Sequence, residues 1–565
     1  MQVTSDNTFR RAALVLVLFA IVLSLAPDDT LPAVYFLTQD LPALIVGVTA
    51  LLLVSWRLPA ITLPDRSPPV WLVALLAVAL ALTLWAGTYL VMFDYPLTRD
   101  EHMVVFDMGV FAGGRLAQPL APEWRAFAEA LVPAFLLDVP DTPILISNYM
   151  PGNAMMRTGF ATIADPALMN PVLVGVGLVA LNDIAGRLFP ENRSAVIVVL
   201  AGYLLSAQVL VTAMTTYAMT GHLALNLVWL ALFLRGKWWQ HALAMLVGMW
   251  AIGLHQIVFH PLFAGPVILT LLAQRRWALF AAYAVTYAAA LLFWIAHPSL
   301  VTSAFGIVAE TGSTGGIGAF WAERVVPLLL DSDPAVVSVM AFNLIRFAAW
   351  TPIFVVPFVV LAWPAIRANR GLALPLFGGI ALTLAAMVIL LPYQGHGWGY
   401  RYLHGLLGNF ALLTGYGYVR WAAHAKKQAD GAFAALAGST ALLVLPFLLW
   451  SAHNFTRPYV ALEALIARQT ADFVLVDTQP PSSAVDQVRN RADLGNRPIL
   501  LSSRGMTADQ VAEICGRGTV TLITRADFHR VGFAPDLPEE SPEFAQLVRD
   551  ILGRDCMKPL VAGPA

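Results

Sequence analysis

The segment from Trp71 to Phe93, WLVALLAVALALTLWAGTYLVMF, contains no charged residue over 23 positions. A helix of that length, at about 1.5 Å per residue, exceeds the hydrocarbon core of a bilayer, which is about 30 Å thick. The chain of 565 residues is 58% hydrophobic and only 12% charged, whereas soluble globular proteins carry about 25% charged residues. We therefore interpret it as a polytopic membrane protein, and its net charge of −1 gives no reason to expect nucleic acid as a partner.

Apolar stretches recur along the chain and predict about 13 transmembrane helices. The first could be mistaken for a signal peptide, but Pro27 would directly follow the cleavage point and block it, so we interpret it as a retained helix. The predicted spans lie at about 10–26, 41–56, 71–93, 170–188, 194–213, 219–234, 239–254, 260–273, 278–296, 345–363, 371–391, 403–420 and 431–450.

The basic residues between the predicted spans indicate how the chain is oriented. Every even-numbered span is followed by a basic loop, as with Arg187 and Arg193 after the fourth and Arg275 and Arg276 after the eighth. The other short loops are nearly free of Lys and Arg, with Arg401 as the exception. By the positive-inside rule, the N-terminus is cytoplasmic and odd-numbered spans exit outward. The pattern predicts a multi-pass protein of the cytoplasmic (inner) membrane.

The composition changes after residue 452 and predicts a separate C-terminal domain. The short apolar runs FVLVD, PILLSS and TVTLITR alternate there with polar stretches that we interpret as helices, SSAVDQVRNRADL and TADQVAEICGRG. This alternation is typical of an α/β domain. The predicted fold is therefore an all-α polytopic membrane domain, residues 1–452, followed by a small α/β domain, residues 453–565. With 13 spans, the second domain lies outside the cytoplasm.

Carboxylates follow the third span at the start of the first large outer loop, residues 94–169. In DYPLTRDEHMVVFDMGVFAGGR, residues 94–115, Asp100 and Glu101 come just after the apolar run. At the interface, ionised acids avoid the roughly 2.5–3.5 kcal/mol cost of the bilayer centre. Asp100 and Asp107 are seven residues apart and share one face of a predicted short helix. These acids either solvate a helix end or mark a site.

The sequence around these acids resembles the first outer loop of GT-C glycosyltransferases. The resemblance rests on RDEH, GGRLAQP, NYMPGNAMM at residues 148–156, the fourth span, and HGWGYRYLHGLLGNFALLTGYG at residues 396–417. Protein O-mannosyltransferases and lipid A aminoarabinose transferases are similar members. In this sequence, SNYMPGN stands where those members carry His or Glu, and two extra spans precede the usual first one. Because that His or Glu is replaced, it stays open whether a second acid or a divalent metal takes part.

The resemblance implies a polytopic enzyme that transfers a hexose or pentose from a polyprenyl-phosphate donor to a glycan, lipid or protein acceptor outside the membrane. A carboxylate can take the hydroxyl proton of the acceptor, which contributes about 10²–10⁴-fold to the rate. Asp100 is the candidate base, and Glu101 is the candidate for orienting donor or acceptor. Asp107 and Asn153, on the same loop, are candidate substrate-binding residues.

The leaving polyprenyl phosphate requires hydrogen-bond donors near the membrane surface, and arginine is suited to phosphate. Arg401 is the candidate, but a snorkelling interfacial Arg is an alternative interpretation. Interfacial histidines that only bond their neighbours are likewise an alternative for the histidines of GLHQIVFHP. The remaining candidates for contact with phosphate or sugar are His255, His260, His396, Tyr400 and Tyr402.

Two other classes of function remain open from the sequence. A transporter or flippase for a lipid-linked glycan should bury paired charges within its spans, and acids are nearly absent there. A non-catalytic protein of envelope glycan assembly would recognise its ligand through the C-terminal domain. The two cysteines, Cys515 and Cys556, form either a disulfide in that domain or two unrelated thiols, and no metal-thiolate site is expected.

Overall fold

The computed structural model describes residues 5–25, 30–131, 135–139, 141–307, 326, 334–479 and 482–562. Helices make up most of these ranges. Those up to residue 304 are α1 (Ser5–Leu23), α2 (Leu31–Tyr35), α3 (Leu41–Trp56), α4 (Val70–Leu90), α5 (Arg99–Ala112), α6 (Pro122–Arg125), α7 (Ala128–Leu131), α8 (Gly152–Ala161), α9 (Met169–Leu188), α10 (Arg193–Leu204), α11 (Ala207–Ala213), α12 (Met219–Arg235), α13 (Trp238–Ile252), α14 (Phe259–Ala273) and α15 (Trp277–Ala304).

The second half continues the bundle and then changes to α/β structure. Its helices are α16 (Pro334–Trp350), α17 (Val355–Leu361), α18 (Trp363–Arg367), α19 (Ala373–Leu390), α20 (Leu407–Ser439), α21 (Leu445–Ala467), α22 (Ala508–Arg517), α23 (Arg525–Arg530) and α24 (Pro542–Val548). The strands of the chain are β1 (Gln118–Pro119), β2 (Ile144–Leu145), β3 (Phe473–Val476), β4 (Ile499–Ser502) and β5 (Val520–Ile523).

Most predicted spans fall on one helix or a bent pair of helices. The twelfth and thirteenth, 403–420 and 431–450, instead lie on one helical segment from Arg401 to Ala467, which has non-helical dihedral angles at Ala425. Within the described ranges, six helical segments are long and apolar enough to cross a bilayer, and eight if each bent pair is one span. Other predicted spans coincide with shorter apolar helices, among them α12 and α14. The chain is thus a mostly helical membrane protein with several spans.

The two bent pairs have local causes. α10 and α11 meet at 49°, where the Ser206 side chain accepts the amide of Val209 and starts a new helix. α16 and α17 meet at 102°, and Pro352 lies between them. Proline lacks an amide proton and disfavours helical geometry at the residue before it. After α11, the turn at residues 214–218 brings backbone groups to the start of α5.

The C-terminal region is a small α/β unit, as predicted, and its sheet is parallel. The three strands are ordered β4-β3-β5, and β3 pairs in parallel with both neighbours. They match the three predicted apolar runs, and α22 matches TADQVAEICGRG. The predicted helix in SSAVDQVRNRADL is wrong, because only a 3-10 turn at Ser482–Gln487 forms. Beyond it, the Asn490 side chain bonds both the amide and the carbonyl of Leu500, which holds the segment against β4.

The predicted domain boundary falls inside α21, which continues through residue 452 to Ala467 before β3 begins. α5 packs on the C-terminal sheet, and Met103 and Phe106 share a buried cluster with Phe473 and Leu501. The loop after α4 and the C-terminal unit therefore lie at the same end of the bundle.

The structure confirms the disulfide alternative for the two cysteines. Cys515, on α22, is bonded to Cys556, and the two Cα atoms are 5.5 Å apart. The segment after α24 lies beside β5, where Met557 pairs with Val520. The disulfide links this segment to α22, the helix that precedes β5.

Candidate active site

The first turn of α5 carries two acids at the edge of the bundle. The Thr98 side chain accepts the amide of Glu101 and caps the helix. Asp100 and Glu101 thus lie at the positive end of the helix dipole, which favours carboxylates. Their side chains point in different directions and have different partners.

Asp100 is held by two donors from distant parts of the chain. The Tyr149 hydroxyl donates to Oδ1 at 2.5 Å, and Nη1 of Arg401 donates to Oδ2. The side chains of Asp100 and Arg401 are only 11% and 12% exposed. Breaking such a pair by removing one partner leaves an uncompensated buried charge.

Asp100 is a carboxylate in this setting. Burial by itself raises its pKa, but the charge of Arg401 and the hydrogen bonds from Tyr149 and Arg401 outweigh burial, so that the pKa lies below the usual value. The group is therefore ionised throughout the neutral pH range. A carboxylate has about four lone-pair sites, so two acceptor positions remain beside the two bonds.

Arg401 keeps donors that Asp100 does not use. Its guanidinium lies between the rings of Tyr217 and Tyr402, at 5.7 and 5.2 Å from their centroids. Nε has no hydrogen-bond partner among the described residues, and Nη2 is 3.5 Å from the Tyr402 hydroxyl. The edge of the guanidinium that carries Nε and Nη2 can thus bind an anion.

The segment before Arg401 is fixed by polar side chains from several helices. Oε1 of Gln394 accepts the amide of Arg401 at 2.9 Å, and its Nε2 donates to the carbonyl of Gly399. Nε2 of Gln208, on α11, donates to the carbonyl of Tyr400. Gly399 has a φ of +75°, and a Cβ there would lie 2.4 Å from Oε1 of Gln208. Only glycine fits this position.

An ion pair inside the bundle holds the same segment, and the sequence analysis missed it. Nε and Nη2 of Arg346, on α16, donate to the carbonyl of Gly397, and Nη1 donates to Asp40. The Trp350 indole also donates to Asp40. The missed signal is Arg346 itself, a charged residue within an apolar span.

His255 adjoins Asp100 through Tyr149. Its ring stacks on the Tyr149 ring at a centroid distance of 4.7 Å and an angle of 21°. Burial lowers the pKa of His255 to about 4, so the imidazole is neutral at physiological pH. Both ring nitrogens lack hydrogen-bond partners among the described residues, and a neutral imidazole can donate from one and accept at the other.

Glu101 points away from Asp100 and is fully buried. Its Oε1 accepts the amide of Thr216 at 3.1 Å, and its Oε2 is 3.5 Å from the hydroxyl of Thr98. Burial raises the pKa of Glu101 to about 7. The Tyr217 hydroxyl is 2.9 Å from that of Thr98. Glu101 therefore links α5 to the turn that supplies Tyr217 beside Arg401.

The other candidates occupy the surroundings of this centre. Asp107 shares a face of α5 with Asp100. Burial raises the pKa of Asp107 to about 8, although a hydrogen bond from Ser147 acts to lower it. Asn153 donates to the carbonyl of Thr216.

The remaining predicted residues bond to other groups. His260 bonds Asn226 and Tyr287. His396 bonds the Tyr35 hydroxyl, while its carbonyl accepts from Tyr217. The Tyr400 ring is buried beside Tyr402. The structure thus unites Asp100, Arg401, Tyr402 and His255. It gives other side-chain partners to the remaining candidates, Asp107, Asn153, His260, His396 and Tyr400.

Two histidines of the bundle interior were missed. His222 and His404 are buried, and neither has a ring nitrogen with a partner among the described residues. His222 lines a small cavity together with Arg401 and Thr383. The signal was again a polar side chain inside an apolar span. In the part of the chain that the structure covers, no three His, Cys, Asp or Glu side chains converge as a metal site.

Comparison with known proteins finds a likeness of fold. No protein-family model and no curated sequence matches the chain. Two solved structures of ArnT from Cupriavidus metallidurans, a lipid A aminoarabinose transferase, are similar. The structure bound to undecaprenyl phosphate has 15% identity and a TM-score of 0.48, over 76% of this chain and 85% of that one. The apo structure has 12% identity and a TM-score of 0.44, over 74% and 84%. At this identity the likeness concerns the fold and not the chemistry.

Proposed function

We propose that the chain is an integral membrane glycosyltransferase. It moves one hexose or pentose from a polyprenyl-phosphate donor to an acceptor hydroxyl outside the cytoplasmic membrane, with inversion at the anomeric carbon. The observation that carries this proposal is the buried pair of Asp100 and Arg401 at the end of the bundle. An ionised base and a phosphate-binding fork are what this transfer requires within one small volume.

Asp100 acts as the general base of the proposed reaction. The acceptor oxygen bonds to the anomeric carbon, the bond from that carbon to the phosphate oxygen breaks, and the hydroxyl proton passes to the carboxylate. The lowered pKa of Asp100 keeps it ionised but makes it a weak base. Proton transfer is therefore late, when the attacking hydroxyl has become acidic. Tyr149 holds the carboxylate in place during the transfer.

Arg401 receives the charge of the leaving group. Its free Nε and weakly bonded Nη2 lie on one edge of the guanidinium and can each donate a hydrogen bond to a phosphate oxygen. Arg346, Gln394 and Gln208 act as positioning residues, because they fix the backbone before Arg401. His255 supplies a neutral donor and acceptor beside the carboxylate, and it is suited to a sugar hydroxyl. Glu101 acts by holding the turn at Thr216 rather than by touching the substrate.

The proposed orientation follows the sequence pattern of 13 spans, with the N-terminus in the cytoplasm and residues 453–565 outside. It is supported by the shared location of α5 and the C-terminal unit at one end of the bundle. Basic side chains lie at other helix ends, as Arg187 and Arg235 do around Asp183. The donor sugar would then be presented on the outer side.

A transporter or flippase for a lipid-linked glycan is the second candidate. The Asp40–Arg346 pair favours it, since it is a buried charge pair inside the bundle. Its bonds to Gly397 and Trp350 give it a structural role instead. A non-catalytic assembly protein is the third candidate.

One experiment separates the transferase from the other two functions. The purified protein in detergent is incubated with polyprenyl-phosphate sugars and an envelope extract, and free polyprenyl phosphate is measured by mass spectrometry. A transferase releases the carrier, whereas a transporter has no compartments to connect in detergent and an assembly protein leaves the donor intact. Absence of release with every donor and extract would contradict the proposal.

Replacing Tyr149 with phenylalanine is expected to shift the acidic limb of the pH–rate profile to higher pH. The hydroxyl lowers the pKa of Asp100, so its removal raises that pKa, and activity is lost as pH falls through it. Phenylalanine keeps the stacking on His255. The limb should not move in Tyr416→Phe, because the Tyr416 hydroxyl accepts the amide of Leu372 and does not contact Asp100. An unmoved limb in Tyr149→Phe would show that Asp100 does not titrate in the reaction.

A further inference from the structure

A second, larger cavity lies on the face of α5 opposite Asp100. Its volume is about 720 Å³, within the range of about 300–1,000 Å³ of small-molecule sites. His102 and Val105 of α5 form one wall, and Arg489 of the C-terminal unit forms another. Pro96, after α4, and Arg157, on α8, complete it. None of the residues that unite around Asp100 lines this cavity.

Arg157 is a buried cation in the wall of this cavity and has no direct ion pair among the described residues. The residue is 3% exposed, and its Nη1 and Nη2 donate to the carbonyls of Pro166 and Thr215. Nε has no partner among the described residues. No described carboxylate, including Asp94 on the same wall, comes within 4.0 Å of the guanidinium. Asp94, Glu101 and Asp165 act on its charge from a greater distance, and an anion in the cavity would give Arg157 a closer partner.

Arg489 adds a second donor to the same space. Its side chain is 8% exposed and lies over the Tyr95 ring at 3.9 Å. Its Nη1 has no hydrogen bond and is 3.7 Å from Glu463, which is half exposed. Arg491, at the rim, is instead paired with Asp493 at 3.1 Å. Two buried arginines thus line one cavity, and arginine suits a phosphate group.

The position of the cavity indicates where that phosphate comes from. Pro96 and Asp94 follow directly on α4, whose surface exposes Leu82 and Leu90 at 52% and 74%. Exposed leucines on a spanning helix face lipid chains. A lipid that lies along α4 has its headgroup at the level of the cavity mouth, where Val105 offers an apolar wall.

We propose that this cavity binds the phosphate of a membrane lipid that lies along α4, with Arg157 and Arg489 as the phosphate donors. The site is distinct from the Asp100–Arg401 centre and does not depend on the proposed reaction. The ligand chemistry is a phosphate monoester on a diacyl lipid. Free phosphate has the same headgroup chemistry, so the test must separate the two sources.

Binding is tested with the purified full chain by native mass spectrometry, using phosphatidic acid, phosphatidylcholine and inorganic phosphate as probes. The wild type is expected to retain phosphatidic acid in preference to phosphatidylcholine. Arg157→Gln should weaken this binding at least about 10-fold, since a charged hydrogen bond contributes about 1.5–3 kcal/mol. Val105→Trp reduces the space of the cavity from the α5 side, leaves both arginines in place and should also weaken the binding. Arg549→Gln, at an exposed position outside the cavity, should bind as the wild type does.

Several outcomes would overturn the proposal. Equal binding of phosphatidic acid by the wild type and Val105→Trp would mean that the lipid binds elsewhere. Tight binding of inorganic phosphate with no preference for phosphatidic acid would assign the site to a soluble ligand. Should Arg157→Gln fail to fold, Val105→Trp alone decides, because its substitution lies on the cavity surface of α5.

Discussion

Asp100→Asn is expected to lower the rate of sugar transfer at least about 100-fold, which corresponds to about 2.7 kcal/mol of transition-state stabilisation. Asparagine keeps the size of the side chain and can still accept from Tyr149, but it cannot take a proton. The initial rate of polyprenyl phosphate release is the measurement. Donor binding should persist, because Arg401 retains its free edge.

The matched control for this variant is Glu101→Gln, one residue away on α5. The Glu101 carboxyl has a pKa of about 7 and is therefore partly protonated at neutral pH, so the neutral amide resembles a form that the protein already contains. Transfer should fall far less than in Asp100→Asn. Equal losses in the two variants would point to damage of α5 rather than loss of a base, and near-wild-type turnover in Asp100→Asn would exclude Asp100 from the mechanism.

Arg401→Lys is expected to weaken donor binding roughly 10–100-fold, because two charge-assisted hydrogen bonds to phosphate are replaced by a point charge. Arg401→Ala should bind the donor more weakly still. The measurement is the donor dissociation constant of the purified protein, so that loss of binding is separated from loss of catalysis.

Arg549→Lys, at an exposed position away from the bundle, is the control for the same chemical change. Removal of Arg401 also leaves Asp100 buried without its counter-ion, so thermal stability is compared among the variants. Unchanged donor affinity in Arg401→Ala would leave Arg401 as an interfacial residue that only pairs with Asp100.

The sequence predicts the helical elements well because hydrophobic runs in membrane proteins are long and their signal is local. It also predicts the strands after α21. It overestimates helix in residues 482–494, where Asn490 replaces helical hydrogen bonds with bonds to Leu500. Such a tertiary contact leaves no periodic pattern in the chain.

For the candidate site, the sequence indicates Asp100 and Arg401 separately but not their contact. They are 301 residues apart, and only the packing of α5 against the segment before α20 brings them together. Tyr149 and Arg346 could not be assigned from spacing, since their partners are equally remote. Arg346, His222 and His404 did carry a signal, because polar side chains inside apolar spans are costly unless they have a role.

The most direct test of a single catalytic centre is a double-mutant cycle of Asp100→Asn and Arg401→Ala, measured as single-turnover release of polyprenyl phosphate at saturating donor. If the two residues act together in one transition state, the double variant should lose about as much rate as Asp100→Asn alone, because a second change adds little once the unit is broken. Losses that multiply in the double variant would contradict the account and assign the two residues to independent roles.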